Sequence, residues 1–185
     1  LTRQQLENAA LRYLGRFSSS TENLRRVLMR RLARAGHRPD EPEYRMAARW
    51  IDEIVLRMCA STILDDGKYA EAQAASLSRR GVAARGIRAR LAAKGVAGEA
   101  IEAALDELRG AEGDADLKAA ALLARRRRLG PYRAGAERKE RRAKDMAALA
   151  RQGFSYQTAC RVIDAADAET LERLAHEREA AEFPE

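Results

Sequence analysis

Two adjacent carboxylates, Asp65 and Asp66, stand just ahead of Tyr69 in the run Leu64-Asp65-Asp66-Gly67-Lys68-Tyr69-Ala70. Paired acids beside a phenol could serve acid–base chemistry or hold a metal ion. The same spacing fits a helix start better. With Asp65 as N-cap, Leu64 takes the N′ position and Tyr69 the N4 position, the arrangement of a hydrophobic staple. Asp65 then accepts backbone N–H groups, and Asp66 sits favourably in the positive end of the helix dipole. The other candidate groups are sparse. Cys59 and Cys160 lie about a hundred residues apart, and His37 and His176 complete no metal-ligand spacing and no nucleophile–base arrangement. Both cysteines are expected as small buried hydrophobes, unpaired, in keeping with a reducing cytosol. His37 is expected in an exposed loop. Gly81 and Gly86 have the glycine spacing of a phosphate loop but lack its lysine and Ser/Thr and follow no strand. No catalytic residue, no metal site and no cofactor is expected.

What remains is positive charge. Lysine and arginine number 35 against 28 acids, a formal charge of +7, which favours a polyanionic partner. The candidate contacts fall in clusters: Arg26 and Arg30; Arg79 and Arg80; Arg85 and Arg88; Arg125, Arg126, Arg127 and Arg128; Arg141, Lys144 and Arg151. Such a set would hold phosphates rather than read bases, so binding should be weak, independent of sequence and sensitive to salt, on single- or double-stranded DNA. Aromatics interleaved with the cations, which a stacking platform needs, are nearly absent, Tyr132 being the one obvious case. An acidic protein surface would suit the same charges.

The elements that carry these residues are helical. Alanine, leucine, arginine and glutamate dominate, aromatics are 5%, and no alternating β-branched run is long enough for a strand. The class is all-α. One figure recurs three times: an apolar pair four apart, a glycine stop, then a second apolar helix. Leu28 and Leu32 lead to Gly36, followed by Ile51, Ile54 and Val55. Ile87 and Leu91 lead to Gly95, followed by Ile101, Ala104 and Leu105. Leu149 leads to Gly153, followed by Ala159, Val162 and Ile163. The first copy matches once about nine residues, around His37 to Tyr44 with Pro39 and Pro42, are taken as an insertion. Repetition at this period points to an array. The expected architecture is an array of three tandem three-helix repeats: 1–63 with an N-terminal helix and the inserted loop, 64–112, 113–167, and an acidic helical tail over 168–185 that ends loosely.

The basic clusters then fall mainly on the second helix of each repeat, pointing away from the apolar positions, so that stacked repeats could line them into a discontinuous stripe. Ser19 with Glu22 has capping-box spacing for the second helix, Asp114 should cap the first helix of the last repeat, and Gly110 to Gly113 should be a short link. No apolar run approaches the roughly 18 residues of a membrane span and no signal peptide is expected, so a cytoplasmic monomer is anticipated.

The run Leu64 to Ala70 resembles the Leu-Asp-Asp-x-x-(Phe/Tyr)-Ala signature of the RecX regulatory proteins. Arg80-Gly81, Arg85, Ile87, Arg88, Leu91 and Lys94-Gly95-Val96 resemble that family's second block, and Arg151 to Tyr156 its C-terminal block. The resemblance runs from about Ala10 to Ala165. Gly86, inside a basic helix start, and the insertion at His37 to Tyr44 depart from the pattern. The resemblance implies three tandem three-helix repeats forming an elongated, curved array, and a bacterial cytoplasmic modulator, without cofactor, that binds the RecA recombinase mostly as a DNA-bound filament. It further implies restraint of filament growth, ATP hydrolysis, strand exchange and LexA cleavage, and so a place in homologous recombination, DNA repair and the SOS response. Two other readings compete: a helix-turn-helix-like DNA-binding protein, and a plain helical adaptor.

Overall fold

A computed structural model describes residues 1–36, 38–112 and 114–176, and the described residues form helices and turns without a strand. The helices are α1 (Arg3–Leu14), α2 (Thr21–Arg34), α3 (Pro42–Ala60), α4 (Asp66–Arg79), α5 (Ala84–Ala93), α6 (Gly98–Glu112), α7 (Ala115–Arg127), α8 (Gly135–Ala150), α9 (Tyr156–Ile163) and α10 (Ala168–His176), with a 3-10 turn, Gly130–Tyr132, ahead of α8. The chain is all-α, as expected, and α1–α3, α4–α6 and α7–α9 repeat one three-helix pattern. The expected loop position of His37, the link residue Gly113 and the tail beyond residue 176 lie outside the described residues.

The repeated figure survives at the level of backbone and burial. Gly36, Gly95 and Gly153 adopt φ of 86°, 77° and 94°, the left-handed conformation that ends a helix and that a Cβ would oppose. Ahead of them Leu24, Leu28 and Leu32 are buried on α2, Ile87 and Leu91 on α5, and Ala148 and Leu149 on α8. After them the matching triplets are buried as well: Ile51, Ile54 and Val55; Ile101, Ala104 and Leu105; Ala159, Val162 and Ile163. The spacing of apolar residues therefore reports burial faithfully.

Contacts gather the chain into two compact units, one of residues 1–70 with 92–100 and the other of 71–91 with 101–185. The first is built on Leu6 and Ala10 of α1, the three leucines of α2 and the apolar face of α3. The second is built on the alanine–leucine face of α7 packed with α8 and α9, and is extended by Leu171 and Ala175 of α10.

Each unit contains one copy of the same junction between successive repeats. In the first, the N–H of Thr21, which opens α2, donates to Asp66 Oδ1 at 2.7 Å, and Ser20 Oγ donates to the Lys94 carbonyl at 2.5 Å. In the second, the N–H of Ala84, which opens α5, donates to Asp116 Oδ1 at 2.8 Å, and the Ala83 N–H donates to the Gln152 carbonyl at 3.2 Å. Thus an aspartate at the start of each following repeat caps the preceding basic helix. The residue before that repeat's own stop glycine supplies a second acceptor. Asp65 caps α4 as expected, accepting the Lys68 N–H at 3.0 Å, with Leu64 and Tyr69 both buried. Asp66 does more than complement the dipole, since it closes the first junction.

Several local expectations are corrected. The cap of α2 is Ser20, not Ser19: Ser20 Oγ accepts the Asn23 N–H at 3.3 Å, while Ser19 Oγ bonds the Ser20 carbonyl and the Asn23 amide. Among four consecutive hydroxyl residues, Ser20 is selected because its other partner is the Lys94 carbonyl. Ser20→Ala should cost about 1–2 kcal/mol, read as a lower urea midpoint at unchanged slope. Gly110 does not begin a link, because α6 continues through it to Glu112. Cys59 and Cys160 are free but only half-buried, and each keeps a polar neighbour: Thr21 Oγ1 at 3.4 Å from Cys59 and Arg142 Nη2 at 3.9 Å from Cys160.

Candidate nucleic-acid interface

The thirteen candidate cations are all solvent-facing, Arg88 being half-buried and the rest exposed. They divide by what they already hold. Arg88 grips Glu102 of α6 through two bonds of 2.7 and 2.8 Å, an exposed pair that raises the guanidinium's proton affinity and holds the carboxyl below its usual range. Arg26 bonds Glu22 at 2.9 Å and the Ala93 carbonyl at 2.8 Å, where it caps the end of α5. Arg126 donates to the Arg80 carbonyl at 2.8 Å, and Arg125 lies 3.9 Å from Glu172. These four are partly engaged in holding helices together. Arg30, Arg79, Arg80, Arg85, Arg127, Arg128, Lys144 and Arg151 make no ion pair among the described residues. Arg141 sits close enough to Asp145 to help lower its proton affinity.

Within the second unit the fold brings separated clusters together. The Arg126–Arg80 bond joins the Arg79–Arg80 run to the Arg125–Arg128 run. Farther along, Arg90 Nη2 reaches Gln152 Oε1 at 3.2 Å, and Gly86 lies directly on Gly153. A Cβ on Gly86 would sit 2.6 Å from the Gln152 carbonyl oxygen, and one on Gly153 would sit 2.9 Å from the Gly86 nitrogen. Gly86 within the basic helix thus permits two backbones to touch, which sets Arg85 beside the turn that carries Arg151. Arg26 and Arg30 belong to the first unit.

Sequence reasoning missed the arginines of α8 that serve the fold. Arg142 makes a two-bond pair with Asp164 at 2.7 and 2.6 Å, and Arg138 donates to the carbonyls of Ile163, Ala165 and Ala166 at the end of α9. Cations beside the exposed carbonyls of a helix C-terminus are doubly favoured, by hydrogen bonds and by the dipole. Asp145, four residues before inward Leu149, is buried at 1% exposure and receives Arg133 through bonds of 2.7 and 2.8 Å and the Gly130 N–H at 2.9 Å. An acid on the apolar face of a basic helix was the available signal.

Tyr132 is a correction of another kind. Its hydroxyl donates to Glu172 at 3.1 Å and its ring is half-buried against the second core, so it serves α10 rather than a stacking platform. Two aromatics stand exposed near cations: Tyr156, 74% exposed, lines a groove with Arg142, and Phe17, 56% exposed, has its ring centroid 5.2 Å from that of Tyr13. Among the described residues, no helix is long and apolar enough to cross a membrane.

The arrangement defines a class: an all-helical protein of three-helix repeats whose second helices present cations outward. Residues 65–105 match the family model for the second three-helix domain of RecX. The regulatory protein RecX of Myxococcus xanthus (strain DK1622) is 38% identical over 162 residues, 86% of this chain and 84% of that protein. The regulatory protein RecX of Agrobacterium fabrum (strain C58) is 42% identical over 100 residues, 54% of this chain and 51% of its own. The crystal structure of RecX from Lactobacillus salivarius has the same fold, with a TM-score of 0.59 at 20% identity over 88% of this chain and 94% of that one. The chain belongs to the RecX family of regulatory proteins.

Proposed function

We propose that this chain is a modulator of the RecA recombinase, binding the DNA-bound filament and restraining its growth, and with it ATP hydrolysis, strand exchange and LexA cleavage. The observation that carries the reading, beside family membership, is a recurrence. The second helix of every repeat exposes cations with no ion pair among the described residues: Arg30 on α2, Arg85 on α5, Lys144 on α8. Repeats 1–63, 64–112 and 113–167 act as successive contact points, so that individually weak contacts add through effective concentration. A molecule spanning protomers obstructs subunit addition and the shifts that accompany turnover. Contacts through exposed charges suit phosphates and acidic side chains alike and confer no base preference.

The helix-turn-helix alternative is disfavoured at α2 and α5. A recognition helix offers its N-terminal residues to base edges, and here the first N–H of each helix already donates to an aspartate of the following repeat.

The test is joint replacement of Arg85, Arg141, Lys144 and Arg151 by alanine, assayed as inhibition of RecA ATPase on single-stranded DNA at moderate salt. Four exposed contacts of a few tenths to 1 kcal/mol each predict about a tenfold rise in the half-inhibitory concentration. Unchanged inhibition removes these cations as the contact. A wild-type chain that neither inhibits nor binds the filament is an adaptor of another kind.

A further inference from the structure

Between α1 and α2 of the first unit runs a groove of about 1190 Å³ with no carboxylate in its lining. Arg12 and Arg16 form one wall, and Arg30, Arg31 and Arg34 form the other. All five are exposed, and none makes an ion pair among the described residues. Phe17 stands at the same groove, more than half exposed and packed at 39° on Tyr13. We propose that this groove is a binding site for single-stranded nucleic acid, the arginines holding successive phosphates and Phe17 stacking on a base.

Five guanidiniums facing one groove without counter-charge repel one another, and a polyanion relieves that cost where surface solvation does not. The planar fork of arginine matches phosphate oxygens in pairs of bonds. Phe17 decides between partners. A duplex keeps its base faces stacked inside, whereas an unpaired base can lie on an aromatic ring. An acidic protein surface would gain from the charges but has no particular use for an exposed phenyl ring among them. The groove lies outside the second-helix set except for Arg30, and most of it comes from α1 and the far flank of α2. The proposal deepens the reading above by giving the nucleic acid of the filament a place on the chain, and it rests on that reading for its biological setting alone.

The experiment uses the full chain without recombinase: fluorescence anisotropy with a labelled oligothymidylate and with a duplex of equal length, over a salt series. The single strand is expected to bind tighter than the duplex. Phe17→Ala should weaken it at least about fivefold, and Phe17→Trp should restore it. Arg12→Ala with Arg30→Ala should flatten the salt slope by about 1.4, the value for two lost phosphate contacts on a single strand. All these side chains are exposed, so circular dichroism should show unchanged helix content. Equal binding by wild type and both alanine variants overturns the proposal, as does a duplex preference indifferent to Phe17. Capture of polyglutamate but not oligothymidylate assigns the groove to an acidic protein and also overturns it. Inhibition of RecA ATPase by a Phe17→Ala chain that no longer binds oligothymidylate would leave the filament reading standing, so the two failures are separable.

Discussion

Replacing Asp145 with alanine is expected to lower the stability of the folded chain by about 3 kcal/mol, seen as an earlier urea or thermal transition. The carboxylate is buried, and its two oxygens accept three bonds, two from Arg133 and one from the Gly130 N–H. Removing it leaves the Arg133 guanidinium, with a side chain only 19% exposed, beside a vacated site and orphans the Gly130 donor. A cation left in such surroundings with only the exposed Glu137, 3.9 Å away, costs far more than a surface pair contributes. The exposed Arg88–Glu102 pair, by contrast, should yield less than 1 kcal/mol. Asp145→Ala within about 0.5 kcal/mol of wild type would contradict this account.

The same group sets a pH dependence. Burial pushes the Asp145 carboxyl up, but the hydrogen bonds from Arg133 and Gly130 and the Arg133 charge outweigh it and hold the carboxyl below the ordinary carboxylate value. Its contribution is therefore complete above about pH 4, where the unfolded carboxyl is also ionised, and drains away as pH falls through the lower folded value. Wild type should lose stability more steeply than Asp145→Asn over that acid window. Parallel curves would show that Asp145 is not the group responsible.

Gly86→Val should destabilise by about 2 kcal/mol or more, with Gly110→Ala as a control of opposite sign. At Gly86 a Cβ would meet the Gln152 carbonyl oxygen at 2.6 Å and Val82 Cγ1 at 2.8 Å. One of these is backbone, held by the Ala83 N–H, so the usual helix-propensity gain over glycine is overwhelmed by overpacking. Gly110 also lies within a helix, but nothing stands within 4 Å of its added Cβ. There alanine should gain up to about 1 kcal/mol. Denaturant midpoints of the two variants moving in the same direction would refute the close-contact reading.

The legible features were those whose causes are local. Gly36, Gly95 and Gly153 could be read as stops because a left-handed residue is demanded within a few positions of the last buried leucine. Asp65 could be read as a cap because its donor, the Lys68 N–H, is three residues away. The arginines were different. Arg85 and Arg88 look alike in the sequence, yet one is unpaired and the other is clasped by Glu102, fourteen residues on. Arg138 and Arg142 were indistinguishable from outward Lys144 until α9 brought its carbonyls and Asp164 against them. Ser20 was chosen over Ser19 by a carbonyl 74 residues distant. The groove of the first repeat escaped notice because its cations come from two helices, and Arg12 and Arg16, beside Phe17, are two isolated arginines rather than a run.

The aspartate that closes each repeat junction limits how this chain can grip an anion. A helix beginning offers peptide donors as a rigid cradle for one oxyanion, but on α2 and α5 an internal carboxylate already lies there. Polyanions must then be met by long, swivelling arms. Grip becomes a matter of how many arms engage rather than of one fitted seat. Relatives could shift their arginines by a helical turn, or exchange them for lysine outside paired sites, and keep their hold. Loss of either aspartate would both loosen the stack and expose a cradle that the present chain keeps closed.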